Sequence, residues 1–171
     1  MPTLETAPAA EAQTLMLEQT RTIRAPRTRV YDAWTSPETL KQWFGPAGMY
    51  CPSVSLDLRV GGAYRIDVHP TPEAAAAALL SSPESAQRRA FATGKYTKIV
   101  PNELLQFTWE PSWQPDEHSL VTVLLKDAPG GTGITIRHER FTTEASREGH
   151  GKGWAGCLDK LTETLEAPAR Q

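Results

Sequence analysis

Four histidines, two cysteines and a scatter of carboxylates are the side chains of this 171-residue sequence whose types suit chemistry. His69, His118, His138 and His150 form no H-x-E or C-x-x-C pair, the spacings that deliver ligands to zinc, so neither a metal nor a cofactor is expected. Cys51 and Cys157 are too few for a disulfide framework and are expected as free thiols in a reducing compartment, Cys157 buried rather than reactive. No nucleophile elbow, phosphate loop or dinucleotide fingerprint occurs, and Gly61-Gly62 and Gly130-Gly131 read as turns. His138 remains. It continues the row Ile134, Ile136 at the two-residue period of a strand, which points its imidazole into the core. A general base needs an orienting partner and a substrate within reach, and the sequence supplies neither; His138 is read as a core or ligand-orienting histidine, and no catalytic residue is assigned. Asp57, Arg59 and Arg65 alternate onto a polar face and read as exposed ion pairing.

The elements that must position these groups follow from periodicity. Leu15 to Ala25 reads as a first strand ending at Pro26. Two short helices follow: Val30 and Trp34 lie one turn apart, and Ser36 before Pro37 is a helix start. Six strand-like pieces come next, and their alternation puts Tyr64, Ile66 and Val68, then Leu105, Phe107 and Trp109, then Val121, Val123 and Leu125 on one buried face. Residues 71–89, "TPEAAAAALLSSPESAQRR", interrupt them as a helical insertion, a solvated decoration or, more pointedly, a lid. In the last helix Trp154, Leu158, Leu161 and Leu165 fall on one arc that covers the sheet. Gly149, Gly151, Gly153 and Gly156 crowd the start of that helix; Gly149, Gly153 and Gly156 lie away from this arc, so they are read as loosening the helix, or admitting a close neighbour, rather than making room beneath Trp154.

A single domain over 14–167 is expected, with a loose tail at 1–13 and another at 168–171. Net charge is −2 with the basic residues scattered, which argues against nucleic acid. No signal peptide and no run of about 18 apolar residues occurs, so a cytoplasmic protein without membrane insertion is expected.

The segments "APRTRVYDAWTSPETLKQWFGPAG", "LDLRVGGAYRIDV", "GKYTKIVPNELLQFTWEP", "GTGITIRHERF" and "GKGWAGCLDKLTETL" resemble the bacterial proteins named after the activator of the heat-shock protein 90 ATPase, within the SRPBCC or START-like superfamily. The resemblance implies an α+β helix-grip fold: a curved antiparallel sheet of about seven strands wrapped on a long C-terminal helix, two short helices after strand one, and an apolar pocket between. The family hosts several activities, so the resemblance names none; the physics of an apolar pocket favours, as a first reading, a non-catalytic protein that binds a small apolar or aromatic molecule. Trp34, Trp43, Phe44, Tyr64, Ile66 and Phe107 are candidate ligand contacts, together with Trp109, Val123, Ile136, His138, His150 and Trp154. Trp113, in a Pro-rich loop, is expected exposed near the pocket mouth. Alternatives from the same superfamily are a cyclase or hydrolase using the cavity, and a chaperone-associated interaction protein; a homodimer is left open.

Overall fold

The computed structural model describes residues 15–46, 48–81 and 89–167. The expected tails at 1–13 and 168–171, and the second short helix that Ser82-Pro83-Glu84 is expected to start within the insertion, lie outside the described residues.

The chain runs β1 (Leu15–Ile23), α1 (Arg27–Thr35), α2 (Pro37–Trp43), β2 (Met49–Tyr50), β3 (Val54–Leu56), β4 (Ala63–Pro70), α3 (Pro72–Ser81), β5 (Ala90–Val100), β6 (Leu104–Pro111), β7 (Ser119–Ala128), β8 (Gly131–Phe141) and α4 (Glu144–Glu166). The strands form one antiparallel sheet in the order β1-β8-β7-β6-β5-β4-β2, with β3 also pairing β4. The sheet curls into a half-barrel around α4, the helix-grip architecture. Strand one pairs with the last strand because a meander of hairpins brings β8 back beside it; Gln19 opposes Ile136 and Ile23 opposes Thr132.

Alternation sorts the faces as expected. Tyr64, Ile66, Phe107, Val121, Val123, Ile134 and Ile136 are buried in one core with Trp154, Leu158, Leu161 and Leu165 of α4. Ser36 holds the N-cap position of α2 before Pro37, but its side chain makes no capping hydrogen bond, so proline geometry rather than a hydroxyl starts that helix. The segment 51–60 forms only the three-residue β3 instead of a long strand. It turns back at Gly61, whose φ is +85°, and Asp57 and Arg59 pair with each other at 2.7 Å there.

α4 begins at Glu144, five residues before its first glycine, where Thr143 caps it by accepting from the Ser146 N–H at 3.1 Å. Its glycines therefore stand inside the helix. Gly151 faces β1, where a Cβ would lie 3.8 Å from Leu17 and Gln19, and its carbonyl accepts from Gln19 Nε2 at 2.7 Å. A Cβ at that distance makes only ordinary contact, so the space beside β1 does not demand a glycine at 151.

A bulge completes the frame. Arg140 has φ 71°, and the β1–β8 register shifts between Leu15 and Leu17. The extra residue returns Phe141 to the buried face three positions after His138, their ring centroids 4.2 Å apart.

The tightest turn gives a test. A Cβ on Gly62 would sit 2.0 Å from the Asp57 carbonyl oxygen. Gly62→Ala should cost about 1–3 kcal/mol of stability, read as a lower urea midpoint; an unchanged midpoint would mean the 57–62 loop shifts freely.

Candidate functional site

Two indole N–H groups cross the interface between α4 and the sheet in opposite directions. Trp154 of α4 donates to His138 Nδ1 of β8 at 3.0 Å, and Trp109 of β6 donates to His150 Nε2 of α4 at 3.2 Å. An indole nitrogen can only donate, so each imidazole must accept at that atom and carry its proton on the other. His138 therefore holds its proton on Nε2 and donates to Ser119 Oγ at 2.7 Å, while Ser119 donates on to the Trp109 carbonyl at 3.4 Å. His150 holds its proton on Nδ1 and donates to the Ser146 carbonyl at 2.8 Å. All four ring nitrogens are engaged.

His138 is fully buried, and desolvation, with the neighbouring His150 adding to it, lowers its pKa to about 2. It is neutral at any physiological pH. Cys157 and Cys51 are buried free thiols pushed up to about 11 by desolvation, which keeps them out of thiolate chemistry. Among the described residues no three His, Cys, Asp or Glu side chains gather as a metal site would need.

The β6–β7 loop clasps the first two turns of α4. Trp113 stacks on His150 with centroids 5.9 Å apart and planes 26° apart. Ser146 Oγ lies 2.7 and 2.8 Å from the two Glu117 oxygens and 2.9 Å from Gln114 Oε1. Glu117 is buried, and the Thr142 N–H donates to it at a long 3.4 Å. A carboxylate is at home here because the first turn of a helix carries a partial positive charge.

Beside this clasp lies a cavity of about 790 Å³. One wall is the stripe Ala145, Gly149 and Gly153 of α4; the facing wall includes Ala74 and Ala78 of α3 with Gly48. Among the described residues, a Cβ built on Gly149 or Gly153 meets no atom within 4 Å. These two glycines leave room on the flank of the helix, one residue away from the His150–Trp154 row, and not beneath Trp154. α3 is the first part of the expected insertion, and its inner alanines bound the cavity, which is where a lid would stand.

Of the expected contacts, Phe44, Trp109, His150 and Trp154 line this cavity, and so does half-exposed Trp113. Trp34 and Trp43 sit behind them in the core, the Trp43 indole bonded to the Ala33 carbonyl at 3.0 Å. Tyr64, Ile66, Phe107, Val123 and Ile136 pack under the helix away from the cavity wall, and His138 lies one layer behind Trp154. Sequence reasoning missed Ser146, Gln114 and Glu117. The small residues at 145, 149 and 153 repeat at i, i+4, i+8, a visible stripe that marks a helix flank without bulk.

The family model described as activator of Hsp90 ATPase homolog 1-like protein matches residues 24–166, most of the chain. The chain belongs to this family. No curated protein matches it. Among solved structures, protein CV1439 from Chromobacterium violaceum is 25% identical, with a TM-score of 0.71 over 90% of this chain and 99% of that one. An AHSA1-like protein from Aeromonas hydrophila is 18% identical with a TM-score of 0.68 over 92% and 99%. CalU16 from Micromonospora echinospora is 22% identical with a TM-score of 0.59 over 89% and 75%. The last two share the fold alone. Helix-grip proteins of this family are in general ligand-binding. Among the described residues no helix is long and apolar enough to cross a membrane.

The histidine tautomers give a pH test. The unfolded chain protonates His138 below about pH 6.5 while the native state does not, so its contribution is complete above that pH and is lost as pH falls towards the native value of about 2. Between pH 7 and 5 this one group should remove about 2 kcal/mol of stability. Urea titrations should show a shallower decline in His138→Gln, which does not titrate; identical slopes in the two proteins would show that His138 is not held neutral.

Proposed function

We propose that the protein binds a small, largely apolar aromatic molecule in the cavity between the first half of α4, α3 and the end of the sheet, and performs no acid–base chemistry on it. The observation that carries the reading is the wall at Gly149 and Gly153, where two helical positions lack side chains and no described residue within 4 Å fills their place. Each glycine costs a helix about 1 kcal/mol against alanine. Two such positions on one flank, opposite two alanines of α3, keep about 790 Å³ open beside aromatic rings. That volume falls in the range of small-molecule sites, which are mostly apolar with few polar groups. Phe44, Trp109, Trp113 and Trp154 supply the apolar surface.

The hydrogen bonds of the histidines favour binding over catalysis. Both nitrogens of His150, the imidazole in the wall, are spent inside the protein, so using it as a base would break the tie to Trp109. The ligand is expected to enter past Gly149 and Ala145, which are exposed at the cavity edge.

Calorimetric titration with 1-naphthalenemethanol, a neutral aromatic probe, tests the reading. Binding to the wild type is expected, weakened at least about tenfold in Gly153→Leu, whose side chain takes up the space. Gly153→Ala should raise stability by about 0.4–1 kcal/mol, because its methyl meets no described residue and the unfolded chain loses freedom. Equal probe affinity in Gly153→Leu would place the ligand elsewhere.

A further inference from the structure

The polar end of the cavity has a sign. Its hydroxyl, amide and imidazole groups belong to Ser146, Gln114 and His150, and His150 has neither nitrogen free. Ser146 has one hydroxyl proton, yet three acceptor oxygens stand within 2.9 Å of its Oγ: two of Glu117 and Oε1 of Gln114. One proton cannot serve them all. The carboxylate takes it, since a hydrogen bond to an ionised acceptor is shorter and stronger than one to a neutral amide, and the Glu117 contacts are the shorter ones. The Gln114 amide must then present its NH₂ to Ser146 Oγ, because two acceptors do not face each other at 2.9 Å.

Two consequences follow for a ligand. With its proton committed to Glu117, Ser146 has only lone pairs to offer. With its NH₂ committed to Ser146, Gln114 offers its carbonyl oxygen. Both side chains accept. Behind them stands Glu117, 2% exposed, with no lysine or arginine within 4 Å among the described residues, holding two donors where a carboxylate has room for about four. Among the described residues the cavity lining carries no Lys, Arg, Asp or Glu. Glu117 already stands beside the start of α4, accepting from the Ser146 hydroxyl and the Thr142 N–H, where an anion would otherwise be drawn.

The geometry points to a protonated aromatic amine as the ligand class of this cavity, its ammonium hydrogen-bonded to Ser146 Oγ and the Gln114 carbonyl, one hydrogen bond from Glu117, and its ring among Trp109, Trp113 and Trp154. The inference rests on the cavity reading above and adds the charge of the ligand. Indole faces near the same end favour a cation further.

Three probes that share one ring decide it: 1-naphthylmethylamine, 1-naphthalenemethanol and 1-naphthoate, titrated calorimetrically at pH 7.4 into the wild-type protein. The amine should bind at least about tenfold more tightly than the carboxylate, with the alcohol between them. Glu117→Gln, which keeps the shape and an acceptor for Ser146, should bring amine and alcohol within about twofold of each other. Gln114→Leu, at a half-buried loop position, should do so partly, and serves if the buried substitution does not fold. Binding of the alcohol without preference for the amine, or a preference surviving in both variants, overturns the charge assignment and leaves the cavity reading intact. Tighter binding of the carboxylate overturns it as well, since the pole would then donate. Failure of all three probes to bind removes both readings.

Discussion

Two Trp–His hydrogen bonds of opposite direction fix how α4 lies on the sheet. A hydrophobic arc alone lets a helix roll or slide by part of a turn at little cost, because apolar contact has no direction. An indole N–H aimed at one ring nitrogen does not allow this. His150 and Trp154 stand one turn apart on α4, the first accepting from β6 and the second donating to β8, so both rotation and axial position of the helix are set there. The arrangement requires two neutral imidazoles in two different tautomers, each held by an oxygen on its far side. A buried polar group left without its partner costs about 1–3 kcal/mol, which makes the paired state specific as well as stable.

The cavity is a consequence of that rotation. Once residues 150 and 154 face the sheet, positions 149 and 153 face the gap between helix and α3, and position 151 faces β1. On the β1 flank the main-chain carbonyl of Gly151 accepts from Gln19; on the other flank Gly149 and Gly153 withhold bulk from a space that the described parts of the sheet and α3 do not fill. A helix of low intrinsic propensity survives because its second half is anchored by Leu158, Leu161 and Leu165, all buried, and because Thr143 and the β6–β7 loop secure its first turn.

Periods of two and 3.6 reveal which face of an element is buried, and on that level the sheet, both short helices and the arc of α4 were legible. They do not distinguish a residue in the core from one beside a cavity. Ile66, Val123 and Ile136 alternate as Trp109 does, yet only Trp109 reaches the opening. The glycines show the same limit from the other side: their angular offset from Trp154 was readable, but whether that flank meets solvent, a strand or a void depends on where β1 and α3 lie. Glu117 and Gln114 were illegible for a different reason. They sit in an irregular loop, where no period links 117 to 146, and the buried carboxylate looks like any surface glutamate until the helix end that supports it is in place.

The division between grip and opening also sets where a substitution would be felt. β7, β8 and the second half of α4 are bound by the ladder and the core, so a change there is felt across the sheet. The cavity is instead bounded by a helix inserted between two strands, a loop between two others, and a helical stripe of minimal side chains. Those three can change size or polarity without breaking the Trp–His ties, since the short partner that the start of α4 gives to a ring nitrogen is the Ser146 carbonyl at 2.8 Å, a main-chain atom that any residue retains, and the Ser146 hydroxyl lies farther from the same nitrogen at 3.4 Å. Ser146 is thus divided between the two roles: its carbonyl belongs to the grip, while its hydroxyl, bonded to Glu117, belongs to the cavity. Substituting its side chain leaves the acceptor of His150 in place, so ligand preference can alter through the hydroxyl while the helix keeps its position.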